Sequence, residues 1–399
     1  MPEEKQELTI AEQVEAAVAK AVEKQKAVIS GAAGTGATST TRSSSIHHDG
    51  PLSDFALKVI QDDETFKAAK IVSNLNSNKR QDLYYFYEPA YFMINQVAAR
   101  AEGAEAAMAK YGVSKRPYNT TVYGLKDPVT DEQVANSDEA LGDLYEEAAG
   151  FITRQFLLNK EKKFAAELLG TSIWGTDYTG QSAANAGSVP VLSGAFQQFD
   201  QSTSQPLDIL EEACNAVHLK SGFRPNTAVM TRTVFSALKR NTSIKTLKLY
   251  TDSNSSSSEA TLDTIAQHLG MPAENIFVMD VVEPATAHTI DGTTFEITTD
   301  DEGYATNAAG DTTLNNQFIG GKGVLLMYVD KASNGRRSPT AAVCAQWTGL
   351  YPEGGKLGNT KFFRYREDSI HSEMIEGATA FSYHVVAPAL GIYLDGAIA

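Results

Sequence analysis

Four groups of residues in this sequence have types and spacings that could do chemistry. Gly320-Gly321-Lys322-Gly323 has the composition of a phosphate loop, but it runs into the apolar stretch VLLMYV, where a phosphate site needs a helix N-terminus. The acidic triplets Asp62-Asp63-Glu64 and Asp300-Asp301-Glu302 offer the oxygens that hard cations take, but they read as solvated acidic turns. His47 and His48 are adjacent, while His218, His268, His288, His371 and His384 are scattered, so no metal-ligand spacing emerges. Cys214 and Cys344 are the only cysteines; they exclude a disulfide scaffold and a four-cysteine zinc site, fit a reducing compartment and read as two buried free thiols. There is no G-x-G-x-x-G after a strand, no Walker lysine motif, no H-E-x-x-H, no G-x-S-x-G and no EF-hand loop. The expectation is a protein that is not an enzyme, with no catalytic, cofactor or metal residues.

Composition narrows the remaining classes. A chain of 399 residues with 42% hydrophobic content can bury substantial cores and has room for two or three domains. The formal net charge of -15 argues against a specific DNA reader, because such a surface repels phosphates. No run of eighteen apolar residues is present, and MPEEKQELTI lacks the basic start and apolar stretch of a secretory signal, so the protein is expected to fold in cytoplasm without a membrane partner.

The elements that would position any function begin with residues 8–29, where apolar positions at helical spacing predict a short amphipathic helix. A Gly/Ser/Thr/Ala-rich tether follows at 31–45. Residues 52–75 read as helical. The aromatic-dense run with Tyr84, Tyr85, Phe86, Tyr87, Tyr91 and Phe92 reads as a strand covered on at least one face. A small, polar, glycine-punctuated stretch (98–117) separates it from the strand YNTTVYGL, which predicts an extended hairpin-like loop. An excursion of this length with little core of its own must be functional, disordered or held by a neighbour.

After Pro128 little breaks a helix for about forty residues beyond an Asn136-Ser137-Asp138 interruption and two glycines, roughly three times the usual length. Leu141, Leu144, Ala148, Phe151, Ile152 and Phe156 are expected on its apolar stripe, with Glu146, Glu147, Arg154 and residues 160–163 on the other faces. Pro206 opens a helix through Leu219. A strand at Thr227–Met230, a helix around Val234–Lys239 and an extended tail to residue 250 then argue for a compact α/β unit. A further helix, Leu262–Leu269, stops at Gly270. From 250 to 330 there are thirteen acidic residues and one basic, Lys322, whereas bases return from Lys331 to Arg366. Such segregated charge is able to pair between identical subunits. The closing residues read as two strands.

Three phrases, in order, resemble one family. YGLKDPVTDEQVANSDEALGDLYEEAAGFITRQFLLNKEKKFAAEL, with its turn at Asp131 to Asn136, is similar to the entry from the extended loop into the spine helix of tailed-bacteriophage major capsid proteins with the HK97 fold. RPNTAVMTRTVFSALKRNTSIKTLKLY resembles their axial-domain strand, helix and tail, and FSYHVVAPALGIYL resembles their terminal strand. The resemblance covers about residues 55–397. It implies an α+β, HK97-like capsid fold with a flexible N-terminal arm (1–50), an arm or peripheral helix (51–78) and an extended loop (79–127). The spine helix and peripheral domain would follow (128–204), then an axial domain (205–345) and returning peripheral and axial strands (346–399). It also implies self-assembly into an icosahedral shell of hexamers and pentamers enclosing double-stranded DNA without sequence specificity, assembled in the host cytoplasm and residing in the virion capsid. Scaffolding, portal and decoration proteins are the implied partners. Tyr84, Tyr87, Tyr118, Tyr123, Arg364 and Arg366 become expected inter-subunit contacts. Lys110 and Lys115 lie in the implied loop, where some relatives crosslink a lysine to an asparagine, but nothing here identifies that asparagine or an activating acid. An encapsulin-type nanocompartment shell and a soluble α/β enzyme are the alternative readings.

Overall fold

Alternation along two families of strands builds the molecule. The computed structural model describes residues 47–48, 64–88, 90–109, 112–137, 144–182, 194–251, 261–284, 298–299, 305–306, 316–331, 339–350 and 360–399. The expected N-terminal helix, the tether, Lys110, Asp62-Asp63 and the triplet at 300–302 lie outside them.

The first sheet is organised around Ser372–Val385, a strand of 14 residues. Antiparallel partners lie along it: Lys361–Glu367 and Thr121–Thr130 beside its first part, and Ala342–Trp347 beside its end. Ser73–Ser77 adds a parallel edge to Ala342–Trp347, and His47–His48 pairs with Arg364 and Phe363. The helix expected over 52–75 is therefore corrected within the described residues: only Ala68–Ile71 is helical, and SNLNS is a strand. Its residues have weak strand propensity, so non-local pairing with Ala342–Trp347 sets its conformation.

The second sheet runs in the order Ala195–Gln197, Asp177–Gln181, Gly391–Asp395, Val324–Met327, Thr227–Thr231, Ile276–Met279. Its central strands are buried on both faces. Ala228, Met230, Val324, Leu326, Ile392 and Leu394 face one core layer with helices Pro206–Ser221, Arg232–Arg240 and Leu262–Leu269. Val229, Leu325, Met327 and Tyr393, one residue out of phase, face a second layer shared with the long helix and the first sheet. The expected extended tail after residue 240 is instead a helix, Thr242–Thr251. The closing region holds three strands rather than two, since Gly391–Asp395 is separate and joins the second sheet. At Gly391 a Cβ would run into the Trp174 indole.

The predicted forty-residue helix is divided. Asp131–Asn136 is a short helix closed by a capping box between Thr130 and Gln133, and its C-cap Ser137 is extended. The long helix proper is Leu144–Leu168, 25 residues and about 37 Å by helical rise. Trp174 donates its indole N–H to the Leu168 carbonyl at 2.8 Å, satisfying one of the terminal acceptors. The helix crosses the central strand at Gly377, where a Cβ would come within 2.7 Å of both Ile152 and Phe156.

Two face assignments on this helix are corrected. Phe151 is 54% exposed, while Ile152 and Phe156 are buried. Lys160 and Glu161, expected on the solvent faces, are 6% and 1% exposed. Helical geometry explains both charged residues: 160 falls four residues from Phe156 and four from Phe164, and 161 falls four from Leu157. Glu146, Glu147, Arg154, Lys162 and Lys163 are exposed, as expected of a polar face. The two cysteines are buried and free, and burial pushes the Cys214 thiol up to about 12 and that of Cys344 to about 11.

Candidate functional site

The aromatic strand does pair, but with Val113–Asn119, most of which was expected in the excursion; most of the expected partner YNTTVYGL lies instead in Thr121–Thr130 beside the central strand. Gln81–Tyr87 and Val113–Asn119 form an antiparallel ribbon in continuous register from Gln81 opposite Asn119 to Tyr87 opposite Val113. Because side chains alternate along a strand, this ribbon has two distinct faces.

The inward face is anchored. Tyr84 and Tyr118 are buried with Leu75, Val343, Ala345 and Val386 of the first sheet. Both rings lie 6.4 Å from that of His384, Tyr84 in a stacked arrangement. Arg116 stands opposite Tyr84, places its guanidinium 4.2 Å from the Phe86 ring centre and donates to the Val386 carbonyl at 3.4 Å. Burial raises the Tyr84 phenol above its ordinary value, with Arg116 acting against the rise. Burial also lowers His384, whose Nε2 lies 2.8 Å from the Ser382 hydroxyl. At the root, the Arg80 carbonyl accepts from both the Thr120 amide and the Thr120 hydroxyl, each at 3.0 Å.

The outward face has no such cover. Leu83 is 51% exposed and Tyr85 44%, opposite Pro117 and Lys115 respectively. Lys115 lies 5.5 Å over the Tyr85 ring. Beyond the ribbon, Tyr91, Met93, Ile94, Val97 and Met108 continue the exposed apolar surface, with Val97 at 87%. Half of the exposed large hydrophobic side chains among the described residues thus fall between 83 and 108. At the ribbon's root a groove of about 290 Å³ opens between Leu75, Asp82, Leu83, Tyr85 and Val343. Among the described residues no further strand pairs with the outer edges of this two-stranded ribbon.

The arginines occupy the other end of the central strand. Arg364 pairs with Glu373 and places its guanidinium 3.8 Å from the Tyr145 ring centre. Arg366 grips Asp131 through two hydrogen bonds of 2.9 and 2.5 Å and also meets Asp368. The bond from Arg366 holds the Asp131 carboxyl below its ordinary value, and the guanidinium is raised in return. Glu373 and His384 are roughly 35 Å apart by strand rise, so the tyrosines and arginines do not converge. Tyr123, half-buried, lies between them with its ring 5.0 Å from that of Phe381. Tyr87 contributes its backbone pairing to Val113. The structure therefore gives Tyr84, Tyr118, Tyr123, Arg364 and Arg366 partners inside the chain, and leaves about half exposed both Leu83, which sequence reasoning had not named, and Tyr85, which it had named only within the aromatic run. The missing signal was parity, since aromatics occupy both faces of QDLYYFY.

Gly320 and Gly321 have φ values of +101° and +67° and form the turn into Val324–Met327, as expected for a turn rather than a phosphate loop.

No family model matches the chain, and no curated protein matches it in sequence. Among solved structures, a phage-related protein from Bordetella bronchiseptica RB50 superposes with a TM-score of 0.61 at 17% identity, covering 88% of this chain and 98% of that one. A virus-like particle from Pyrococcus furiosus (TM-score 0.45, 8% identity, 86% and 98% covered) and the capsid of Cyanophage P-SCSP1u (0.44, 10%, 90% and 91%) are also similar. This chain has the α+β fold of the phage-related protein over nearly the whole of both.

Proposed function

We propose that this chain is a major capsid protein of a tailed bacteriophage, a structural subunit that assembles with copies of itself into a closed shell. The observation that carries the reading is the outward hairpin face from Leu83 to Met108, apolar, exposed and anchored at its root, on a chain with the fold of a phage-related protein. Burial between chains supplies what burial within the chain withholds. In this reading the HK97-type architecture holds, hexamers and pentamers form the shell, and Leu83 and Tyr85 lie against a neighbouring copy. Tyr84, Tyr87, Tyr118, Tyr123, Arg364 and Arg366 then set the posture of the interface elements as much as they touch the neighbour. The net charge of -15 suits a container that must release double-stranded DNA rather than grip it. Scaffolding, portal and decoration proteins are the further partners of this reading, and the virion is its location. Each contact is modest, and the many repeats of one interface make the shell durable.

Negative-stain microscopy and sedimentation of the full chain, alone and with a co-expressed scaffold, test it. Shells or five- and six-fold rings are expected. A monomer or dimer that persists at high concentration with the scaffold present overturns the reading.

A further inference from the structure

Two adjacent charged residues sit on the buried stripe of the long helix, and one of them ties that helix to another segment. Glu161 Oε1 accepts hydrogen bonds from the backbone N–H of Lys67 and of Ala68, the latter at 2.7 Å. Its Oε2 is enclosed, with no hydrogen-bond partner among the described residues. Phe66, Ala68 and Ile71 pack beside it in the same core layer as Leu157, Phe164 and Leu168. An apolar patch and one carboxyl group thus join residues 66–71 to the long helix. That segment feeds directly into Ser73–Ser77, the parallel edge of the first sheet.

The surroundings come from four elements. Lys67 belongs to the docked segment, and its charge favours the ionised carboxylate. Lys160, on the same helix, lies 5.6 Å over the Phe381 ring, and burial lowers it while Cys344 acts the other way. Tyr383 on the central strand is raised well above its ordinary value by burial, then by Cys344 and by Glu161. Cys344 on the neighbouring strand is itself raised to about 11. Enclosure is the largest influence on Glu161 and lifts it to about 7, against the pull of the two backbone N–H groups and Lys67.

We propose that Glu161 is a proton-operated latch: protonated, it holds residues 66–71 on the long helix, and its ionisation in this enclosed site loosens that docking. The sign follows from linkage. A carboxyl raised from 4.5 to about 7 on docking contributes stability that is fully present below 4.5 and is lost as pH rises through about 7. Local opening of the segment at pH 8 should exceed that at pH 6 by about tenfold.

Hydrogen exchange on the full chain, read by mass spectrometry from pH 6 to 8 and normalised for the intrinsic exchange rate, tests this on peptides covering 66–72. Wild type is expected to show the roughly tenfold rise, while a peptide covering Val324–Met327 shows none. Glu161→Gln keeps an acceptor for both amides and cannot ionise, so its profile should be flat. Lys160→Met, which removes the adjacent buried amine, should retain the rise. A flat wild-type profile, an unchanged profile in Glu161→Gln, or loss of the rise in Lys160→Met overturns the latch.

Discussion

The second sheet and the aromatic hairpin are both built from alternating strands, yet they treat their two faces oppositely. Every residue of Val324–Met327 is buried, because helices cover one face and the shared core layer covers the other. In the hairpin, Tyr84 and Tyr118 are buried while Leu83 and Tyr85, one position away, are half exposed. Fully covered strands specify a fold, and a strand pair covered on one side specifies a fold and a place for something else to bind. The root anchored at His384, Val385 and Val386 shows that the exposed side is not a loose loop but a held one.

Breaking the covered side should cost most. Phe164→Ala empties a fully buried site in the layer shared by the long helix and both sheets, and should destabilise the unassembled chain by about 3–5 kcal/mol, measurable by chemical denaturation. Gly377→Ala should cost about 1–3 kcal/mol, because the new methyl meets Ile152 and Phe156 where the long helix crosses the central strand. Its companion Gly270→Ala has open space around the Cβ but a φ of +64°, so backbone strain of about 1 kcal/mol is all that should appear.

The hairpin's two faces should then separate by pH and by substitution. His384 is depressed by burial, so its neutral form stabilises the root above pH 6.5 and that contribution is lost as pH falls through its lowered folded value. Tyrosine fluorescence or exchange of the Gln81–Tyr87 amides should report a looser root in acid, and His384→Phe should flatten the response. The smallest effect on the subunit belongs to Leu83→Ser with Tyr85→Ser: denaturation should move by no more than about 0.5 kcal/mol per site, while assembly seen by sedimentation is lost.

Much of this contrast was legible in the residues, and the exceptions have physical causes. Thr227–Thr231, Arg232–Arg240 and the Gly270 stop follow local pattern and were readable, because strand run, helix period and left-handed cap all agree. SNLNS was not readable, since only its partner Ala342–Trp347 makes it a strand. The helical tail Thr242–Thr251 was missed because TSIKTLKLY alternates as well as it winds. Lys160 and Glu161 were placed by their charge when their phase, four residues from Phe156 and Leu157, pointed inward. In the candidate site the aromatic density of 84–92 was visible, but not its parity. Tyr84 and Tyr85 differ only in which side of the ribbon they take, and that is set by packing against residues some 260 to 300 positions away.

Oxidative footprinting of Leu83, Tyr85, Ile94 and Val97 in the full chain, compared between dissociated and assembled material at matched dose, tests the central claim most directly. The account predicts that these side chains are labelled freely in the dissociated chain and protected at least severalfold on assembly, with Tyr84 and Tyr118 protected in both. Equal labelling of Leu83 and Tyr85 in the two states would contradict the claim that this face is held for a neighbouring copy.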